Sequence, residues 1–97
     1  MREQSATANE LARIAELSGL PGESLMRLAQ RMERRELRAG EALHVEGRFG
    51  VVLAGMVKVE DGLLRPGATF SGRVSALTPA TVATCEREAY EEIRDRA

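Results

Sequence analysis

The side chains that could do chemistry in this sequence are one histidine, one cysteine and a set of arginines. His44 lies in an alternating segment without a nearby cysteine, aspartate or second histidine, so it lacks the partners that a metal ion or a general base needs. Cys85 has no triad pattern around it, and a lone cysteine can form neither an internal disulfide nor a CxxC site. We therefore predict no catalytic residue, no metal ligand, no cofactor and no enzymatic activity.

The arginines are the stronger candidates for binding. Arg27, Arg31 and Arg34 recur at helical spacing and are predicted to lie on one side of a helix. Such a stripe can hold an acidic protein surface or nucleic-acid phosphates. Nearby glutamates can also pair with it at i,i+4 spacing, each pair contributing about 0.2–0.5 kcal/mol. The pattern favours a solvated helix face first, a protein contact second and nucleic acid third.

The composition limits the chain to one small globular domain. Of its 97 residues 43% are hydrophobic and 30% are charged, and the net charge of −1 gives no general attraction to nucleic acid or anionic lipid. No apolar window reaches the length of a membrane span, and the polar N-terminus does not have the pattern of a secretory signal. We expect disorder in residues 1–8, one domain over residues 9–97 and a cytoplasmic location, or one inside a particle assembled within the cell.

Two helices are predicted at the N-terminal end and one at the C-terminal end. The first helix should start with Asn9 as its N-cap and end at Gly19, and Pro21 should start the second. The terminal segment, residues 86–97, is amphipathic, with Tyr90 and Ile93 on its inner side. This helix either caps the domain or serves as a docking element for a partner.

Between the helices the sequence predicts about seven short strands separated by glycine and proline. Residues 36–47, which contain Gly40 and Gly47, are predicted to form two short strands joined by a glycine turn, and Val51–Leu53 is predicted to form a further strand. Asp61-Gly62 is a hairpin signal, and Gly55 indicates a bulge or kink within strand-like sequence. Two later strands are predicted around Val74–Leu77 and Thr81–Thr84, separated at Pro79. Many short strands with this punctuation favour a β-sandwich or β-roll over a parallel sheet.

Several segments, in this order, resemble the cyclic-nucleotide-binding domain family. The lead-in "SGLPGESLMRLA" and the segment "GEALHVEG" resemble the start of that domain. "VVLAGMVKV" looks like the family strand with a central glycine, and "LRPGATF" looks like the turn that precedes the phosphate-binding cassette. The resemblance covers roughly residues 9–95. It implies a mainly β fold, a small antiparallel jelly-roll-like β-roll with two N-terminal helices and one C-terminal helix.

The resemblance also indicates that the ligand site is missing. In the family, a short helix after the Pro-Gly turn presents backbone N–H groups to the cyclic phosphate, a Glu accepts from the ribose hydroxyl and an Arg pairs with the phosphate. Here Ser71 and Gly72 stand where the Glu is expected, and Arg73, the one candidate for the phosphate ligand, falls within the returning strand. Too few residues remain to form the helix, and other loops are short.

These features lead to one main expectation and two others. The main one is a non-catalytic, degenerate β-roll that does not bind cyclic nucleotide and acts as a protein-interaction or structural subunit, for instance of a viral particle or bacterial shell, since no effector module such as a helix-turn-helix follows. The alternative is a small sensor that binds a cyclic nucleotide or another anion. An enzyme like the cupins is the least supported, because one histidine cannot supply the metal ligands. The alternative would use Gly67, Phe70, Ser71, Gly72 and Arg73, whereas protein contacts or self-association would use Arg27, Arg31, Arg34, Tyr90 and Ile93.

Overall fold

The computed structural model describes residues 8–96, except for the side chain of Val45. The disorder predicted for residues 1–8 concerns residues outside this range, apart from Ala8, which begins the first helix. None of the described helices is long and apolar enough to cross a membrane. The elements, in chain order, are α1 (Ala8–Ala12), a 3-10 helix (Ala15–Leu17), α2 (Gly22–Arg31), β1 (Glu33–Leu37), β2 (Ala42–Ala54), β3 (Val57–Val59), β4 (Gly62–Leu64), β5 (Thr69–Ala76), β6 (Ala80–Glu86) and α3 (Arg87–Arg96).

The first predicted helix is divided into two short pieces. Ile14 is extended, with φ −82° and ψ 121°, and it separates α1 from the 3-10 helix. Leu11, Ile14 and Leu17, which are all buried, recur every three residues, and the break turns all three into the same core. Asn9 lies inside α1 and does not cap it, so that prediction was wrong. The second helix begins after Pro21, as predicted.

The predicted antiparallel β-roll with flanking helices is confirmed. The described strands form one sheet in the order β1-β6-β2-β5-β3-β4, and every pairing is antiparallel. The long strand β2 was predicted as separate short strands; it is continuous but irregular between Val45 and Gly50. Its first part pairs with β5, and its second part pairs with both β5 and β6. This bend curls the sheet into a roll.

Two buried clusters hold the roll together, one on each face of the curled sheet. Val51 points toward the helices, and the adjacent Val52 points into the roll, as the alternation of side chains along a strand requires. The helical cluster joins α1, α2 and α3 to the sheet through Phe49, Ala83 and Cys85. The helices are therefore fixed to the roll by their apolar faces, and their polar faces remain exposed to solvent.

The turns follow the predicted glycines with small shifts. The β3–β4 hairpin is confirmed, but its tip is Glu60–Asp61 and Gly62 already belongs to β4. Gly55 lies at the sharp connection between β2 and β3, where its φ is +81°. Gly40, with φ +90°, lies in the turn between β1 and β2. The two strands that this turn connects are not paired with each other, because β6 lies between them in the sheet.

Candidate functional site: the β5 groove and the helical cleft

Strand β5 occupies the stretch in which the family resemblance would place a ligand-binding cassette. It runs from Thr69 to Ala76, so the prediction that the strand starts at Val74 was wrong by five residues. Phe70 pairs with Gly50, and Arg73 pairs with His44 on β2. Among the described residues, none between the Pro66–Gly67 turn and Ala76 is helical. The segment that resembles the cassette region is therefore part of the sheet.

The Pro66–Gly67 turn that precedes β5 is fastened to β2 by backbone hydrogen bonds. The Ala68 N–H donates to the Arg65 carbonyl at 3.1 Å, which closes the turn, and Gly67 has the positive φ of +101° that a proline-glycine turn of type II requires. The Gly67 N–H donates to the Val52 carbonyl at 2.9 Å. This amide is therefore already engaged and is not free to receive an anion.

A groove of about 670 Å³ lies between the β3–β4 hairpin and β5. It exists because β3 pairs with β5 only at Val57 and Lys58, after which the hairpin separates from the strand. The groove is within the size range of small-molecule sites. Its lining residues are Lys58, Val59, Glu60, Asp61, Leu64, Thr69, Phe70, Ser71, Gly72, Arg73 and Ser75.

The charges in this groove are mixed. Lys58 and Arg73 supply positive charge, and Glu60 and Asp61 supply negative charge at the hairpin tip. The side chain of Arg73 is exposed and forms no hydrogen bond or ion pair with any residue in the range 8–96. Four of the five residues nominated for ligand binding line this groove. The fifth, Gly67, lines a different depression near Arg13.

The Phe70 side chain belongs to the hydrophobic core, although the residue also lines the groove. Its side chain is 7% exposed and packs in the roll with Val52 and Val74. Its ring lies against the backbone of Gly50 so closely that a Cβ at that position would clash with it. The ring is consequently held by the fold and cannot turn outward to stack on a ligand.

The second candidate surface is a cleft of about 220 Å³ between α2 and α3. It brings together three of the five residues nominated for protein contacts, Arg27, Arg31 and Ile93. Arg34 was wrongly placed with them: α2 ends at Arg31, and Arg34 lies in β1. Its guanidinium binds both carboxylate oxygens of Glu10, at 2.9 and 3.3 Å, so it fixes α1 to β1 instead of facing a partner. The other residues that line the cleft are Gln30, Glu92 and Arg96.

Tyr90 is buried and does not form part of an exposed docking surface. Its ring is 3% exposed and stacks on Phe49 with the centroids 3.8 Å apart and the planes 2° from parallel. Its hydroxyl lies 3.5 Å from a carboxylate oxygen of Glu16. Burial, followed by the nearby Glu16 charge, raises the pKa of the Tyr90 hydroxyl. Tyr90 therefore attaches α3 to the roll.

The surroundings of Cys85 and His44 do not favour a catalytic role for either side chain. Cys85 is 1% exposed, and burial raises the pKa of its thiol to about 11, although the Arg48 charge acts in the opposite direction. The thiol is thus protonated and inaccessible near neutral pH. His44 is exposed on β2 opposite Arg73. Within the described part of the chain no group of three or more metal-ligating side chains comes together.

Sequence reasoning missed the hairpin wall of the groove and the charged α3 residues beside Ile93 in the cleft. The residues that it did not nominate are Lys58, Glu60 and Asp61 in the groove and Glu92 and Arg96 in the cleft. The separation of β3 from β5 and the packing of α2 on α3 bring these residues to the two sites. The available signal was the high charge of the α3 sequence outside Ala89, Tyr90 and Ile93, since a helix with so many charged residues must expose one side.

Solved structures of cyclic-nucleotide-binding domains and related proteins share this fold. A cyclic nucleotide-binding-like protein from Brucella abortus is similar at a TM-score of 0.65 and 20% identity, over 91% of this chain and 97% of that chain. The regulatory domain of Toxoplasma gondii PKA, in complex with cAMP, is similar at 0.75 and 16% identity, over 90% and 43%. The sensor domain of the transcriptional regulator DNR from Pseudomonas aeruginosa is similar at 0.73 and 15% identity, over 90% and 75%.

These comparisons confirm the resemblance at the level of the fold. This chain spans nearly all of the Brucella protein but less than half of the Toxoplasma chain. No protein-family profile matches the sequence, and no curated protein matches it. The chain thus has the fold of a cyclic-nucleotide-binding domain, with a strand in the place where the resembling family has its phosphate-binding cassette.

Proposed function

We propose that this chain is a non-catalytic β-roll that has lost cyclic-nucleotide binding and acts as a protein-interaction or structural subunit of a larger assembly. The observation that carries the proposal is the uninterrupted strand β5. A helix at this place would direct several free N–H groups toward a phosphate. The N–H groups of a strand alternate between its two edges instead, so that they do not converge on one phosphate.

The residues around β5 support the loss of the ligand. The Gly67 N–H is bonded to Val52, and the Phe70 ring is held in the core. The chain has no carboxylate between Phe70 and Arg73 that could accept a bond from a ribose hydroxyl. Arg73 remains, but an exposed and unsupported guanidinium holds an anion weakly, because water and salt screen it.

A roll without a ligand can still act through its helix faces and strand edges. The apolar sides of α2 and α3 are buried against the sheet, and their polar sides face solvent. A rigid, charged surface of this kind is suited to bind another protein, because charge complementarity gives an interface its specificity. We assign this role to Arg27 and Arg31, which are exposed in the cleft between these helices; Ile93 also lines the cleft but is buried.

The direct test of the interaction role is the state of the chain in its native source. Affinity-tagged protein, isolated at physiological salt, is expected to elute as an oligomer or with a partner in fixed stoichiometry. An unrelated tagged protein of similar size, isolated in the same way, is the control. A strictly monomeric chain without a stoichiometric partner would contradict the proposal.

The groove supports a second candidate, a small sensor that binds a cyclic nucleotide or another anion. Its volume of about 670 Å³ and the presence of two cationic side chains, Arg73 and Lys58, in its lining favour this alternative. If it holds, an anionic ligand should raise the melting temperature, and Arg73→Ala should abolish that rise. Arg65→Ala, which removes an exposed arginine outside the groove lining, is the matched control and should leave it unchanged.

A further inference from the structure

We propose that the face formed by α2 and α3 is the surface through which two copies of this chain form a symmetric dimer. This proposal rests on the proposed interaction role and specifies the partner as a second copy. It also assigns particular residues to each half of the contact. The charges on the two helices carry the proposal.

The α2 half of the face is positively charged. Arg27 and Arg31 are exposed, lie one helical turn apart and line the cleft. Neither guanidinium forms an ion pair or hydrogen bond with a residue in the described range. Like charges at i,i+4 spacing repel each other and destabilise an isolated helix. A pair left without a counter-charge is therefore available to a partner that brings carboxylates.

The α3 half of the face carries a pair of glutamates, beside one arginine, Arg96, that also lines the cleft. Glu88 and Glu92 are exposed, lie one helical turn apart and therefore share a side of α3, and Glu92 lines the cleft. Asp95 is exposed three residues beyond Glu92, but its carboxylate pairs with Arg94 of the same helix at 3.3 Å. Glu92 has a partner in Arg96 of its own helix at 3.4 Å, but that pair is exposed and weak. Glu88 forms no ion pair within residues 8–96.

A face with an arginine pair on one helix beside a glutamate pair on the next is complementary to itself after a twofold rotation. In a symmetric contact the same patch is used twice, so that residue i of one copy meets residue j of the other and the reverse. The rotation places α2 of each copy against α3 of its partner. The spacing matches, since both charge pairs are separated by one helical turn, about 6 Å. The dimer therefore contains two equivalent sets of contacts between opposite charges.

Exposed apolar surface on these two helices comes from α2. Ile93 lines the cleft but is only 6% exposed, so it adds little area to a contact. Met26 of α2 does not line the cleft but is 57% exposed, the highest value among the large apolar side chains of the described residues. An interface with apolar residues surrounded by charges has the composition that protein contacts commonly show. The apolar part contributes to affinity, and the charges determine the orientation.

The test is a charge exchange followed by sedimentation velocity. The wild-type chain is expected to dimerise, and the dimer should weaken as salt rises, because exposed charges are screened. R27E/R31E makes both halves of the face acidic, and E88R/E92R makes both halves basic. Each double variant alone should raise the dimer dissociation constant by roughly tenfold or more. An equimolar mixture of the two should recover association as a heterodimer, because both contacts are then again between opposite charges.

The control is R35E/R38E, which makes the same change of charge at exposed positions on and beside β1, away from the helical face. It should dimerise like the wild type, and circular dichroism should show that all variants are folded. Three results would overturn the dimer: a wild-type monomer at millimolar concentration, double variants that associate like the wild type, or a mixture that fails to associate. If the monomer still copurifies with a stoichiometric partner, or if dimerisation ignores these charges, the interaction role stands and only this face is refuted.

Discussion

Replacing Gly55 with alanine is expected to lower the free energy of unfolding by about 3 kcal/mol. Gly55 has φ +81°, a conformation that side-chain-bearing residues adopt at a cost. A Cβ there would also lie 2.6 Å from the Cα of Ala80 and clash with the carbonyl oxygen of Pro79. Both are backbone atoms and cannot move aside cheaply. In a domain of this size the loss corresponds to a fall of roughly 15 °C in melting temperature, measurable by circular dichroism.

Gly40→Ala is the matched control because it separates the backbone conformation from the clash. Gly40 has a similar φ of +90°, but a Cβ at that position meets nothing within 4 Å. It should cost about 1 kcal/mol, the conformational part alone. If both variants lost the same free energy of unfolding, the close contact of Gly55 with the backbone of Pro79 and Ala80 would not account for the need for glycine at position 55.

Phe49→Ala is expected to cost about 4 kcal/mol, the typical loss for a buried phenylalanine. Phe49 is 4% exposed, and its ring stacks on Tyr90 of α3, an arrangement that contributes beyond burial alone. Because that stack joins α3 to β2, the variant should also release α3. Compared with the wild type, hydrogen exchange should accelerate more at α3 amides than at β6 amides. The midpoint of urea unfolding should also fall.

Leu63→Ala is the control for Phe49→Ala. Leu63 lies on the edge strand β4 and is 54% exposed, so its removal should change stability by no more than about 0.5 kcal/mol. A Phe49→Ala variant that is as stable as Leu63→Ala would mean that α3 is not held by the aromatic stack. The helical face would then lack the rigidity that its assigned role requires.

The turns could be predicted from the sequence because their chemistry is local. Pro66 and Gly67 have the backbone preferences of a type II turn whatever surrounds them, and the structure has that turn. The β3–β4 hairpin and the turn at Gly40 follow from the same reasoning. The resemblance of the ordered segments to a β-roll family then supplied the arrangement of strands, which local chemistry alone does not determine.

The start of β5 could not be predicted because it depends on a distant strand. The stretch from Thr69 to Arg73 contains Ser71 and Gly72, which are weak strand formers. It is a strand because β2 pairs with it, and Phe70 fits there because Gly50 has no side chain. The absence of the cassette helix was nevertheless anticipated, since a helix needs more residues than this stretch provides.

The helical face was predicted in part for a similar reason. Helical periodicity placed Arg27 and Arg31 on one side of α2, and the structure agrees. Periodicity could not show that the helix ends at Arg31, where Met32 turns extended with ψ 144°, or that Glu10 binds Arg34. The burial of Tyr90 was foreseen as an inward orientation, but its stack with Phe49 depends on how α3 packs on β2.

The central claim, that this β-roll does not bind cyclic nucleotide, is tested most directly by thermal unfolding with a panel of cyclic mono- and dinucleotides at millimolar concentration. Wild type and Arg73→Ala should be measured side by side. A ligand at 100 times its dissociation constant adds about 2.7 kcal/mol of stability, a shift that is easily detected in a small domain. We predict no shift in either protein. A clear shift in the wild type that is lost in Arg73→Ala would contradict the claim and establish the β5 groove as a binding site.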